Sequence, residues 1–418
     1  MAGALGFALL VCLLFAVSAR GAERVTIFDP GEPIWHAETV GPTLDRLRAL
    51  GTDVVRLRVA YAEQPDLGPL DLAIGGAMER GMEVMLVPVG PAPSVTAYAD
   101  FVGALGRRYP EVRRWAIYNE PDLPSWFPLP SASPNPPPPP PGVLVPGGGV
   151  VASSTPTVAV KKRPSPEYTL GRAYRETFVA AQRALVAAGH DRREVLIGDT
   201  SPCVNPDFIR GTLHGRGLIA GGWAHHPYID AARPWETATC FGPADLPRLR
   251  QLLVEAAWAG ETKRVLPIYV TEFGVFDSES PAMLAASEWV MAQPYVRSFA
   301  QYTLSDDWFE SGLFRSDGSP KPSLSVFADP IFVRRLGTRV QIWGHLRTLP
   351  HRTSVSVFDR GRPVGEIPVA ANAGGYFSVG AAWKPGRRWA LSGGLPTRAY
   401  RAQSVAGFSA PVRLSLRP

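Results

Sequence analysis

Cysteine is scarce in this sequence, with three residues in 418, and one of them, Cys12, sits inside an N-terminal apolar stretch. The other two, Cys203 and Cys240, allow one disulfide and no more. By themselves they read either as that bond or as two separate buried thiols. Charge is also thin: Asp, Glu, Lys and Arg make up 19% of the chain, against a usual quarter. His214, His225 and His226 come without a convincing set of partners for a metal. No glycine-rich phosphate loop follows a strand, no nucleic-acid motif occurs and no segment repeats. Phosphate cradles, sequence readers and solenoids are therefore set aside. The one long apolar run, residues 4–17, is too short to cross a bilayer comfortably.

Small residues follow that run, the pattern of a secretory signal peptide over 1–22. Val17-Ser18-Ala19, or the stretch ending at Ala22, supplies the cleavage site. The missing Lys or Arg ahead of the run leaves an uncleaved anchor as the other reading. Cys12, behind Val11, is not in a lipidation box. The expected location is secreted or extracellular, with association to the cell envelope as a variant. The 45% of hydrophobic residues are enough for a sizeable core.

Proline is abundant, and much of it lies in SASPNPPPPPPGVLVPGGGVVASSTPTVAVKKRPSP, residues 131–166. Such a tract favours extended polyproline geometry and buries little apolar surface. It reads as a disordered insertion over about 128–166, either a lid or a tolerated loop. The net charge of +6 is uneven. Residues 331–418 hold 14 Lys and Arg against only Asp359 and Glu366, so the rest of the chain is net acidic. A basic module of this kind either binds an anionic envelope polymer or is an Arg-rich soluble surface.

Between these features the pattern alternates. Strand-like runs fall at 25–28, 53–60 (DVVRLRVA), 83–89 (EVMLVPV), 114–118, 194–198, 222–226, 265–271 (VLPIYVT) and 296–304. Helical spacing falls at 40–50, 72–80, 94–109, 168–188, 246–259 and 281–292. Strands alternating with helices build a parallel sheet. Eight strands fit a closed α/β barrel, (β/α)8, spanning 23–330, which carries its chemistry at the C-terminal ends of its strands. After residue 327 the period shortens. RVQIWGHLR, TSVSVFDRG, VGEIPVA, GYFSVGAAW and VRLSLRP are alternating, β-rich segments. They predict a small all-β, sandwich-like domain over 331–418.

One stretch demands a chemical reason: RRWAIYNEPDLPSWF, residues 113–127. An apolar strand ends on Asn119 and Glu120. IYVTEFGVF does the same, putting Glu272 at the end of strand seven. Strands four and seven face each other across a barrel mouth, where two carboxylates reach about 5–5.5 Å, the separation used in retaining glycoside hydrolysis. With these pieces in order, the chain resembles glycoside hydrolase clan A, the (β/α)8 retaining glycosidases, and is closest to families 39 and 5. The match rests on Asn119-Glu120-Pro121, Thr271-Glu272-Phe273-Gly274, His226-Pro227-Tyr228, Arg56 in VVRLRV, and GLFRSDGSPKPSLSVF leading into a final helix. It covers roughly residues 25–328.

The resemblance implies Glu120 as acid/base, Glu272 as nucleophile, and Asn119 bonding the sugar hydroxyl beside the anomeric carbon. It implies His226 and Tyr228 on the nucleophile's side, with structural packing as their other reading. Arg56 would keep Glu272 ionised. His225 should point the opposite way to His226. Many clan members end strand eight on a stacking tryptophan; here Trp308 would substitute from a shifted position. Trp35 and Trp126 are either further platforms or packing residues. On the barrel reading Cys203 follows strand five and Cys240 strand six, neighbouring loops, so the pair is expected to form a disulfide. No cofactor or metal is implied. The expected partner is a polysaccharide, oligosaccharide or glycoside, with no nucleic acid and a monomer as the default. A non-catalytic carbohydrate- or envelope-binding barrel is the alternative, which typically loses one glutamate.

Overall fold

The computed structural model describes residues 24–127, 164–228, 240–276, 281–392 and 400–401. The leader, most of the Pro-rich insertion and the segment VRLSLRP lie outside the described residues. Among the described residues no helix is long and apolar enough to cross a membrane.

Strands and helices alternate from the start: β1 (Val25–Asp29), α1 (Ala37–Ala49), β2 (Val54–Ala60), α2 (Gly68–Glu79), β3 (Glu83–Val89), α3 (Val95–Arg108) and β4 (Arg114–Ala116). Then come α4 (Pro166–Ala187), β5 (Val195–Thr200), α5 (Pro206–Leu213), β6 (Trp223–His225), α6 (Leu246–Trp258), β7 (Ile268–Val270), α7 (Ala282–Met291), β8 (Ser298–Tyr302) and α8 (Pro322–Ala328). The eight strands are parallel and ordered β7-β6-β5-β4-β3-β2-β1-β8. Ile268 and Val296 form a parallel bridge, and the Arg297 N–H donates to the Ile268 carbonyl at 2.8 Å, bringing the two edges together. The fold is a (β/α)8 barrel. β5 is buried at every position and β2 along most of its length, the burial expected of strands covered on both faces.

Local sequence explains several element ends. Ser94, Ser165 and Asn205 each accept a backbone N–H of the first helical turn, satisfying a donor that the helix cannot. Helix α5 was not anticipated from the sequence. It has eight residues, too few for a periodic signal, and is held by contact with α4. That contact needs Gly171, where an added Cβ would lie 2.2 Å from the Phe208 carbonyl oxygen. Gly171→Ala is therefore expected to cost about 1–3 kcal/mol, as overpacking does, read as a lowered midpoint in urea.

Beyond α8 the chain forms β9 (Ile331–Leu336), β10 (Arg339–His345), β11 (Arg352–Asp359), β12 (Arg362–Ala370), β13 (Tyr376–Ala382), β14 (Arg387–Leu391) and β15 (Tyr400–Arg401). One sheet runs β13-β10-β9 and the other β12-β11-β14-β15. Val340 and Ile342 from the first meet Val355 and Trp389 from the second in a core of their own. This small β-domain is fastened to the barrel by a buried ion pair. Glu288 of α7 lies 2.7 Å from the Arg347 guanidinium and 2.8 Å from the His345 ring.

Candidate active site

The chain leaves β4 in an unusual way. Tyr118 and Glu120 both take positive φ, 70° and 44°, a conformation that side chains other than glycine's rarely adopt. The Tyr118 N–H donates to the Pro88 carbonyl (3.2 Å) and the Glu120 N–H to the Asp199 carbonyl (2.8 Å), tying the end of β4 to both neighbouring strands. Strained backbone held from both sides collects at functional sites. Asn119-Glu120-Pro121 begins no helix; turns run on to Phe127. Gly90, at the end of β3, leaves room for the Tyr118 ring, since a Cβ there would sit 1.6 Å from the phenol oxygen.

Arg56 is the centre of the mouth. Strand alternation puts it and Arg58 on one face of β2, inside the barrel. Its side chain is fully buried. Nη1 donates to Asp29 at 2.7 Å and to Glu272 at 2.6 Å. Nη2 donates to the Asn119 carbonyl oxygen at 2.8 Å and to Asp199 at 2.7 Å. Four strand ends thus converge on one guanidinium, whose planar fork can serve several acceptors at once.

His226 stands between the two glutamates, not on one side. Its Nδ1 is 3.1 Å from Glu120 and 3.6 Å from Glu272, while Nε2 is 3.2 Å from Asp199. The two glutamate oxygens concerned are therefore no more than about 6.7 Å apart, the two Nδ1 distances laid end to end, at the edge of the spacing of inverting enzymes and compatible with that of retaining ones. Tyr228 donates its hydroxyl to that same oxygen of Glu272, the one not bound by Arg56, at 3.1 Å. The Thr271 hydroxyl donates to Asp199 at 2.5 Å. His225 faces away, bonded to Thr200 and to the Phe241 carbonyl.

The charges decide the protonation states. Burial alone would push the His226 imidazole down, but the carboxylates of Glu272 and Asp199 push it up to about 10, so it is a cation at neutral pH. Burial alone would raise Glu272, but His226, Arg56 and Arg58 outweigh it and hold the carboxyl below its ordinary range. The same contest ends with Asp199 well below the usual range, through Arg56 and His226. Burial keeps the Tyr228 phenol protonated, and the Glu272 charge adds to the effect. Behind Glu120, burial pushes Asp122 up to about 6 although Ser201 donates to it twice. The arrangement offers a buried, ionised carboxylate beside a second carboxyl group, with Arg56 donating to one of its oxygens and Tyr228 to the other.

Beside Arg56, a pocket is lined by Asp29, Trp35, Arg58, Tyr302 and Trp308 among others. Trp35 and Trp308 share this pocket with Arg56, while Glu120 and Glu272 are not among its walls. Trp308 is 82% exposed. The end of β8 itself is Tyr302, whose hydroxyl accepts from Arg58 at 3.3 Å. Trp126 is half-buried in the turn after Glu120 and is not among the walls of this pocket. Cys203 and Cys240 form a disulfide that joins the segments after β5 and β6, next to Phe241, whose carbonyl bonds His225. Asp29, Asp199, Arg58 and Tyr302 were missed in the sequence. The signal was available for both aspartates: each is a carboxylate at the C-terminal end of an apolar strand, as Glu120 is.

No family profile and no curated protein matches the chain. Solved structures do. A family 1 β-glucosidase from Thermotoga maritima is 11% identical, with 75% of this chain and 98% of that chain covered and a TM-score of 0.46. Endoglucanase Cel5A from the same organism is 13% identical over 72% and 95%, with a TM-score of 0.42. A family 51 α-L-arabinofuranosidase from Bifidobacterium longum is 13% identical over 87% and 96%, with a TM-score of 0.46. These likenesses concern the fold. The functional reading rests on the site.

Proposed function

We propose that the chain is an exported retaining glycoside hydrolase. One observation carries this reading: an ionised Glu272 and a second glutamate, Glu120, approach the same imidazole nitrogen at the mouth of a (β/α)8 barrel. Glu272 attacks the anomeric carbon as Glu120 gives its proton to the departing oxygen. Glu120 then takes a proton from water, which displaces Glu272 and releases the sugar with its configuration retained. Asn119 accepts from Arg56 through its carbonyl oxygen, so its NH2 remains to donate to the hydroxyl beside the anomeric carbon. Trp35, Tyr302 and Trp308, which line the pocket beside Arg56, are the rings placed to flank a sugar that extends from the glutamates. The leader and the disulfide support an oxidising compartment outside the cell.

The test is turnover of a panel of aryl glycosides by wild type, Glu272→Ala and Glu120→Ala. Loss at Glu272, together with azide rescue at Glu120, is the expected result. A folded protein silent across the panel, or active without either glutamate, would overturn the reading.

Tyr228→Phe checks the nucleophile's surroundings. It removes a hydrogen bond to a charged group, worth about 1.5–3 kcal/mol, so kcat should fall roughly tenfold or more. Glu272 loses a donor that favours its ionised form, so the acidic limb of the kcat/KM profile should move to higher pH.

A further inference from the structure

The β-domain carries a second concave feature, away from the barrel mouth. Two connections lie side by side at one end of the sandwich: the hairpin turn at residues 360–361 between β11 and β12, and residues 383–386, which cross from β13 of one sheet to β14 of the other. The Arg360 N–H donates to the Gly386 carbonyl at 3.3 Å and joins them. Between them opens a cleft of about 590 Å³ whose walls include Arg360, Trp383, Lys384, Arg387 and Arg388. Arg360, Lys384 and Arg388 are exposed. Asp359 lies at the edge of the cleft, paired across the strands with Arg387, and sets one negative charge against its four cations; the domain's other acid, Glu366, is occupied by Ser354 at 2.8 Å.

We propose that this cleft, formed by Arg360, Lys384, Arg387 and Arg388 around Trp383, binds an anionic polysaccharide. Like charges brought this close raise the local concentration of a polyanion. Concavity selects a single chain over a flat bilayer. Single-stranded nucleic acid needs open aromatic platforms for its bases. Among the described lining residues the one aromatic ring is Trp383, and one of its faces is covered by the Arg335 guanidinium, 3.4 Å from its centroid. That leaves charge contacts to carboxylate, sulfate or phosphodiester groups along a sugar chain. The choice of a glycan over other polyanions rests on the glycosidase reading of the barrel. The ion pair of Glu288 with Arg347 would then hold the cleft at a fixed place relative to the barrel.

The test uses the full chain carrying Glu272→Gln, so that no polymer is degraded. Fluorescein-labelled polygalacturonate is titrated by anisotropy. Dextran sulfate, neutral dextran and a single-stranded DNA oligomer serve as separate arms. Lys384→Ser with Arg388→Ser should weaken polygalacturonate binding at least tenfold. Arg339→Ser with Arg352→Ser, an equal loss of charge on exposed residues outside the cleft, should change it less than twofold. Binding should weaken as salt rises, and neutral dextran should not bind. Equal losses in both double variants, tighter binding of the DNA, or no polyanion binding at low salt would each overturn the proposal. Turnover plays no part here, so failure of the cleft and failure of the glycosidase reading remain distinguishable.

Discussion

Glu272→Gln is expected to lower kcat by roughly 10⁴–10⁶-fold, the range seen when a group that bonds to the substrate is removed, while the chain still folds. Glutamine keeps an oxygen for Arg56 and fills the same space. It cannot attack carbon. The ionised groups around the site explain why the fold should survive. Asp29, Asp199 and Glu272 are set against Arg56, Arg58 and the His226 imidazolium. Losing one carboxylate leaves an excess cation and should cost up to about 3–5 kcal/mol, while Arg56 keeps Asp29, Asp199 and Asn119 as acceptors. Glu120→Gln should behave differently. General acid catalysis supplies about 10²–10⁴-fold, and that loss should shrink with a good aryl leaving group, which departs without a proton. Rates measured across leaving groups of different basicity separate the roles. If Glu272→Gln depended on the leaving group and Glu120→Gln did not, the assignments would be reversed.

Arg56→Met should have the largest effect on stability. Arg56 binds three carboxylates and one amide in a space closed to water. Removing one partner of a buried ion pair costs about 3–5 kcal/mol, because charge is left uncompensated; here three carboxylates would share only Arg58 and the His226 imidazolium. Urea titration should show a loss of at least that size. Arg56→Lys provides a variant that folds: its point charge cannot span four acceptors, so kcat should fall while most of the stability remains.

The pH dependence follows from the same group. Asp199 and Glu272 have folded values held below their ordinary ones of 3.8 and 4.5. Their contribution is present above about pH 4.5 and is lost as pH falls through the depressed values. In Arg56→Met that contribution is missing, so the stability gap to wild type should narrow below about pH 4. A gap constant from pH 7 to pH 3 would show that Arg56 acts through packing instead.

The sequence by itself determined the order of the elements, because the helix and strand periods are local properties. EVMLVPV became β3 at the boundaries its pattern indicates, and the shift to short alternating segments after residue 327 became two antiparallel sheets. It also marked Glu120 and Glu272, since an apolar strand ending on a carboxylate is visible in a single window. β9 and β14 were not separated in advance. IFVRRL and RRWAL are short, and their exposed arginines mask the inward alternation. The tertiary structure alone decided which strand ends meet. Arg56 lies 27 residues from Asp29, 63 from Asn119, 143 from Asp199 and 216 from Glu272. No local period connects such positions. Barrel closure does, by turning the ends of β1, β2, β4, β5, β6 and β7 toward one axis, where burial then sets the charge on His226 and Glu272.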